Sequence, residues 1–163
     1  MLDSGKPDYP FCLAWANESW SRTWLGKEQH ILIKQTYSEP DDKVHSEWLV
    51  QAFGDRRYIT VHGRPLFLIY RPTHLPEPRR TTDIIRATCI KAGIPEPFLL
   101  GVNAHSRKTD SRKLGFDGTV NFEPALGRLP GAFFDWPSLI RFYRNISRGI
   151  FSSTLKIYDY RDA

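Results

Sequence analysis

Leu66-Phe67-Leu68-Ile69-Tyr70, followed at once by Arg71-Pro72, is an unbroken apolar run that ends on a cation. A strand with one wet face alternates apolar and polar residues, whereas this run offers apolar side chains to both faces. It therefore reads as a strand of a parallel sheet covered on both sides. Working outward, Phe11-Cys12-Leu13-Ala14-Trp15 and Phe98-Leu99-Leu100-Gly101-Val102 have the same character. Gly118-Thr119-Val120-Asn121-Phe122 is a less apolar fourth strand, and Ile31-Leu32-Ile33 a small extra one.

Helical patterns fall between the strands. Ser38 with Asp41 resembles a capping box, and after it Val44, Trp48, Leu49, Ala52 and Phe53 are expected to share one helical face. A second helix carries Ile84, Ile85, Thr88, Cys89 and Ala92, with Gly93 as its stop and Pro95 preventing continuation. A third is expected from Pro137, with Leu139, Ile140, Tyr143 and Ile146. His62-Gly63 reads as a tight turn after a short extended piece. Alternating strands and helices give the expected fold class: α/β, a partial (β/α) TIM-type barrel with parallel strands and outer helices.

Composition excludes several classes. At 163 residues the chain is one domain or a piece of a larger one. Its 5 Trp, 7 Tyr and 10 Phe exclude disorder as the main state. Two cysteines, Cys12 and Cys89, are too few for a disulfide scaffold or a zinc ribbon and should pack as small hydrophobes. The net charge of +5 is spread over short, interrupted basic stretches, which reads as solvated surface and not as a nucleic-acid interface. No apolar run reaches the roughly 20 residues that cross a bilayer, and the N-terminus lacks the layout of a signal peptide, so a cytoplasmic location is expected. The histidines show no metal-ligand spacing. A glycine-rich phosphate loop, a Gly-x-Ser-x-Gly elbow and an Asp-x-Asp pair are all missing, and no metal or cofactor is expected.

The chemistry sits after the strands. In parallel α/β folds ligands bind beyond the carboxyl ends of the strands. Here those ends read Trp15-Ala16-Asn17-Glu18-Ser19-Trp20, Tyr70-Arg71-Pro72, Asn103-Ala104-His105 and Asn121-Phe122-Glu123-Pro124. Tryptophan faces stack on pyranose rings, Asn and Arg bond hydroxyls, and carboxylates serve a cationic transition state at an anomeric carbon. The candidate catalytic residues are Glu18 and Glu123. The candidate substrate-binding residues are Trp15, Asn17, Trp20, Tyr70, Arg71 and Asn103. Trp24, with Trp15 and Trp20, adds to the aromatic density of the first loop.

These residues carry a resemblance. Phe11 to Trp20, with Arg22, Trp24 and Gly26 behind it, resembles the opening motif of the WbsX-like glycosyltransferase family, also described as glycoside hydrolase family 99-like. Asp55 to Pro72 resembles a second family block, Ala92-Gly93-Ile94 with Leu100-Gly101 a third, and Phe116-Asp117-Gly118 with Phe122-Glu123-Pro124 a fourth. The resemblance implies a (β/α) barrel and a carbohydrate-active enzyme acting at glycosidic bonds in bacterial surface polysaccharide biosynthesis. It implies a carbohydrate partner, either an oligosaccharide or a sugar donor. Family members also carry an Asn-Glu-Trp-x-Glu-Gly segment, whose two glutamates are the catalytic pair of the family 99 hydrolases. That segment does not occur here. The expectation is thus that residues 1–163 form a single incomplete barrel domain, the central portion of a longer one, with the missing half supplied from an adjacent frame. The alternatives are a non-catalytic carbohydrate-binding remnant or an inactive truncated gene product.

Overall fold

The computed structural model describes residues 2–22, 27–104 and 109–122, without the side chains of 22 and 27–29. The chain divides into two compact units. One comprises Met1–Glu18 with Lys34–Phe122, the other Ser19–Ile33 with Glu123–Ala163. The second unit contributes β2 (Trp20–Arg22) and β3 (Lys27–Ile33), an antiparallel pair in which Trp20 faces Ile33. The expected strand Ile31–Ile33 is thus the end of a longer one. The expected third helix at Pro137 lies outside the described residues.

The first unit is built on a parallel sheet. Its strands are β1 (Leu13–Trp15), β5 (Arg64–Ile69), β6 (Phe98–Asn103) and β7 (Gly118–Asn121), neighbours in that order and all parallel. The four apolar runs therefore do become adjacent parallel strands, although the first is shorter than expected. Phe11 forms only an isolated bridge to Tyr58. A short β4 (Thr60–Val61) folds back antiparallel on β5. His62 and Gly63 make that two-residue turn with φ of 52° and 74°, the left-handed pair a tight hairpin between right-twisted strands requires.

Register assigns each strand residue to a face. Leu13 pairs with Phe67 and Trp15 with Ile69, while Phe67 pairs with Leu99 and Ile69 with Gly101. This face meets α1 (Glu39–Phe53) and α2 (Pro78–Lys91), and the core is Phe67, Ile69 and Leu99 against Leu49, Ala52, Phe53, Ile85 and Cys89. Each such side chain taken out of water contributes about 1.5–3 kcal/mol. The opposite face carries Leu66, Leu68, Leu100 and Val120, all half-buried. Cys12 and Ala14 fall on it too and are exposed. Only Cys89 packs as the small hydrophobe expected of both cysteines, and its burial pushes the thiol up to about 11.

The first helix starts as anticipated, with Ser38 Oγ accepting a hydrogen bond from the Asp41 N–H. Its buried face differs. Asp42, Ser46, Leu49, Ala52 and Phe53 are buried, whereas Val44 and Trp48 are 65% and 48% exposed. At 100° per residue, positions 44 and 48 lie across the helix from 42, 46, 49 and 53. The polar members of the buried face are satisfied: Ser46 donates to the Asp42 carbonyl, and Thr81 of α2 donates to the Asp42 carboxylate at 2.8 Å. The second helix keeps its expected face in Ile85 and Cys89 and ends before Gly93 at φ 75°.

Below the sheet, at the amino ends of its strands, Asp117 gathers charge. Its carboxylate meets Arg64 at 2.7 Å and Arg86 at 3.0 Å and accepts the Leu99 N–H at 2.8 Å. Burial alone would raise the Asp117 pKa, but these donors outweigh it and hold the carboxyl below its usual range.

Candidate functional site at the carboxyl edge of the sheet

β1 and β5 finish side by side, the last backbone bond running from the Tyr70 N–H to the Trp15 carbonyl at 2.9 Å. Asn17 then extends the ladder with its side chain. Its amide donates to the Arg71 carbonyl at 2.9 Å, and its Oδ1 accepts the Arg71 N–H at 2.7 Å. A side-chain carboxamide has one donor and one acceptor side, so it substitutes for a peptide unit where the strand itself has ended. Asn17 is fully buried. Its own carbonyl accepts a bond from the Tyr37 hydroxyl at 2.6 Å. Burial raises the Tyr37 pKa, the Asn17 side-chain amide that donates to the Tyr37 hydroxyl at 3.4 Å opposes the rise, and the nearby Glu18 charge adds to it.

The latch sets two side chains against each other. Arg71 Nε donates to Glu18 Oε2 at 2.8 Å, with Arg71 23% and Glu18 36% exposed. The Arg71 guanidinium lies over the Tyr70 ring, 5.4 Å from its centre. Tyr70 in turn meets Phe122 edge to face at 5.8 Å. Phe122 is 57% exposed, so an aromatic surface stands open beside the ion pair.

A cavity opens at the ends of β5 and β6, lined by Tyr70, Arg71, His74, Val102, Asn103 and Thr109 among others. Asn103 braces it: Oδ1 accepts the Thr109 N–H at 3.2 Å, and Nδ2 reaches Asn121 at 3.5 Å. No group of acidic, histidine or cysteine side chains among the described residues has the arrangement of a metal site.

The candidates from sequence thus separate. Glu18, Tyr70, Arg71 and Asn103 stand at one edge of the sheet, and Tyr70, Arg71 and Asn103 share one cavity. Asn17 is beneath them, its amide committed to the Arg71 backbone. Trp15 is not at the cavity. Its ring packs on the helix side of β1 against His45 at 4.7 Å and Tyr37 at 6.1 Å. His45, wedged also against Phe67, has its pKa lowered by burial, with Asp41 and Asp42 acting the other way. Trp20 is 60% exposed on β2 of the other unit. Glu123, His105 and Trp24 lie outside the described residues. Sequence reading missed Tyr37 and Phe122. Tyr37 precedes a helix cap and gives no strand-end signal. Phe122 was legible as an aromatic ending a strand next to Glu123.

Two proteins called WxcX, from Xanthomonas campestris pv. campestris strains B100 and ATCC 33913, are 38% and 37% identical over 146 residues, 81% of this chain. The match covers 21% of each, so the chain spans about a fifth of the length of these curated relatives. No solved structure matches. No helix among the described residues is long and apolar enough to cross a membrane. The family described as Glycosyltransferase WbsX matches residues 1–163 throughout, and the chain belongs to that family.

Proposed function

We propose that this chain is part of a carbohydrate-active enzyme that acts at glycosidic bonds during surface polysaccharide synthesis, with its site at the carboxyl edge of the parallel sheet. The observation that carries the reading is the Glu18–Arg71 pair, held by Asn17 beside an open aromatic surface in a chain of the WbsX family. The strand order supports a segment of a (β/α) barrel, related to that of the family 99 hydrolases. The parallel strands follow one another in chain order with both helices on one face, whereas doubly wound sheets reverse order and place helices on both.

In this reading Glu18 exchanges a proton with a sugar oxygen, and Arg71 orients the carboxylate and bonds a hydroxyl. Tyr70 and Phe122 present apolar rings to a pyranose face, and Asn103 holds the cavity wall. Glu123, two residues past β7 in sequence, is the second carboxylate that chemistry at an anomeric centre calls for. Asn17 and Trp15 act by positioning. One observation favours a second reading, a binding module without turnover: Glu18 already spends one oxygen on a guanidinium, an arrangement equally suited to gripping hydroxyls. The test is to assay the chain against aryl glycosides and nucleotide sugars, with Glu18→Gln as the control. Turnover that falls by roughly a hundredfold or more in the variant assigns general acid–base work to Glu18. Saturable sugar binding without turnover supports the binding module. Neither binding nor turnover overturns both.

A further inference from the structure

The unused valences of the Glu18–Arg71 pair restrict the kind of sugar the edge can take, an inference that rests on the carbohydrate reading above. Arg71 commits Nε to Glu18 and its backbone N–H and carbonyl to Asn17. Among the described residues, Nη1 and Nη2 of Arg71 and Oε1 of Glu18 carry no hydrogen bond. Both side chains reach solvent, at 23% and 36% exposure. The pair therefore offers a carboxylate acceptor and guanidinium donors side by side, with no net charge.

A hydroxyl is both donor and acceptor. Two hydroxyls gauche to each other on neighbouring ring carbons can donate one hydrogen bond to Glu18 Oε1 and accept another from an Arg71 Nη. A carboxylate or phosphate has acceptors only. It would satisfy Arg71 but lie against the like charge of Glu18, which in a partly desolvated edge costs more than the donor returns. The cavity beside the pair is lined, apart from Arg71 and the exposed His74, by uncharged residues such as Tyr70, Thr73, Val102, Asn103 and Thr109. The exposed Phe122 ring, edge to face with Tyr70, suits the C–H face of such a ring.

We infer that Glu18 and Arg71 form a charge-neutral clamp for the vicinal diol of an uncharged pyranose, and that the site discriminates against uronic acids and phosphorylated groups. The experiment is ligand-observed saturation-transfer NMR on the full 163-residue chain. The probes are methyl α-D-mannopyranoside, methyl β-D-glucopyranoside, their 2-deoxy and 3-deoxy analogues, methyl β-D-glucuronide and inorganic phosphate. The neutral glycosides are expected to bind, and the analogue lacking one clamped hydroxyl to lose about tenfold or more, the scale of a hydrogen bond to a charged group. Glu18→Gln supplies the sign test, since it leaves the shape nearly unchanged and frees the Arg71 charge. The neutral glycosides should weaken in it, while glucuronide or phosphate gains affinity.

Glucuronide or phosphate binding the unaltered chain as tightly as the neutral glycosides, and lost in Arg71→Ala, overturns the clamp and leaves the carbohydrate reading standing. Neutral glycosides that bind equally well to the chain, to Glu18→Gln and as deoxy analogues likewise overturn it. If no sugar of any charge binds, the carbohydrate reading itself fails and the clamp with it.

Discussion

Asn17 shows how one side chain can do the work of a strand. Its amide exchanges two hydrogen bonds with the Arg71 backbone, with no solvent to replace either. Asn17→Asp is nearly isosteric but turns the donor into an acceptor, which then faces the Arg71 carbonyl. Leaving a buried group unsatisfied costs roughly 1–3 kcal/mol, and more where a charge is involved. The variant is expected to lose about 3 kcal/mol in urea denaturation and to release the Glu18–Arg71 pair. A loss under about 1 kcal/mol would show that the latch is not under strain from substitution. Position after a strand marks Asn17 as a site residue in the sequence, and the neighbouring strand shows that its amide is occupied by the Arg71 backbone.

Among the elements, β6 depends on having no side chain at Gly101. A Cβ placed there would lie 2.6 Å from Ser111 Cβ and 3.0 Å from Pro72 Cγ. Ser111 is fully buried in the 3-10 turn Ser111–Leu114, and Pro72 opens the turn Pro72–His74 at the cavity. Both turns would have to shift, since one obstacle is a Cβ fixed to its backbone and the other a proline ring. Gly101→Ala is expected to destabilise by about 1–3 kcal/mol, in the range of overpacked cores, and to weaken sugar binding by displacing the Arg71–Pro72 corner. Thermal denaturation with a binding titration checks both, and an unchanged melting temperature would show that the turns yield freely. Tyr58 joins elements in another way. Its hydroxyl accepts the Leu13 N–H at 3.1 Å and donates to the Leu66 carbonyl at 2.8 Å, tying β1 to β5, and burial pushes its pKa up to about 12.

Across the first unit as a whole, the two ends of the sheet are specialised. The carboxyl edge holds the cavity, and the amino edge holds the Asp117 network that ties β5, α2, β6 and β7 together. Because the Asp117 pKa is lower folded than unfolded, the unfolded chain binds the extra proton in acid. The stabilisation is therefore complete above the ordinary carboxylate pKa, about 4, and is lost as pH falls through the lower folded value. Asp117→Asn should cost about 1–2 kcal/mol at pH 7, allowing for solvent screening. The difference between variant and unaltered chain should shrink as pH falls below about 4 in guanidinium denaturation series. A constant difference over that range would place the stabilisation elsewhere.

Parallel pairing of the four apolar runs followed from sequence alone, because continuous apolar segments joined by helical periodicity have few other ways to bury both faces. The Ser38 cap, the Gly93 stop and the His62-Gly63 turn were equally local, each set by the dihedral or hydrogen-bonding preference of one or two residues. The resemblance to the family was legible in ordered blocks of sequence, Phe11 to Trp20 foremost, and the family match spans residues 1–163. What only the tertiary structure decided was how side chains divide between packing and site. Val44 and Trp48 turn outward because helix phase is set by what α1 meets, Phe67 and α2, and not by hydrophobicity. Trp15 is drawn to the helix face because its register partner is Ile69. Arg71 meets Glu18 across a gap of 53 residues because β1 and β5 end side by side. Such pairings depend on which strand lies next to which, and no single stretch of chain encodes that.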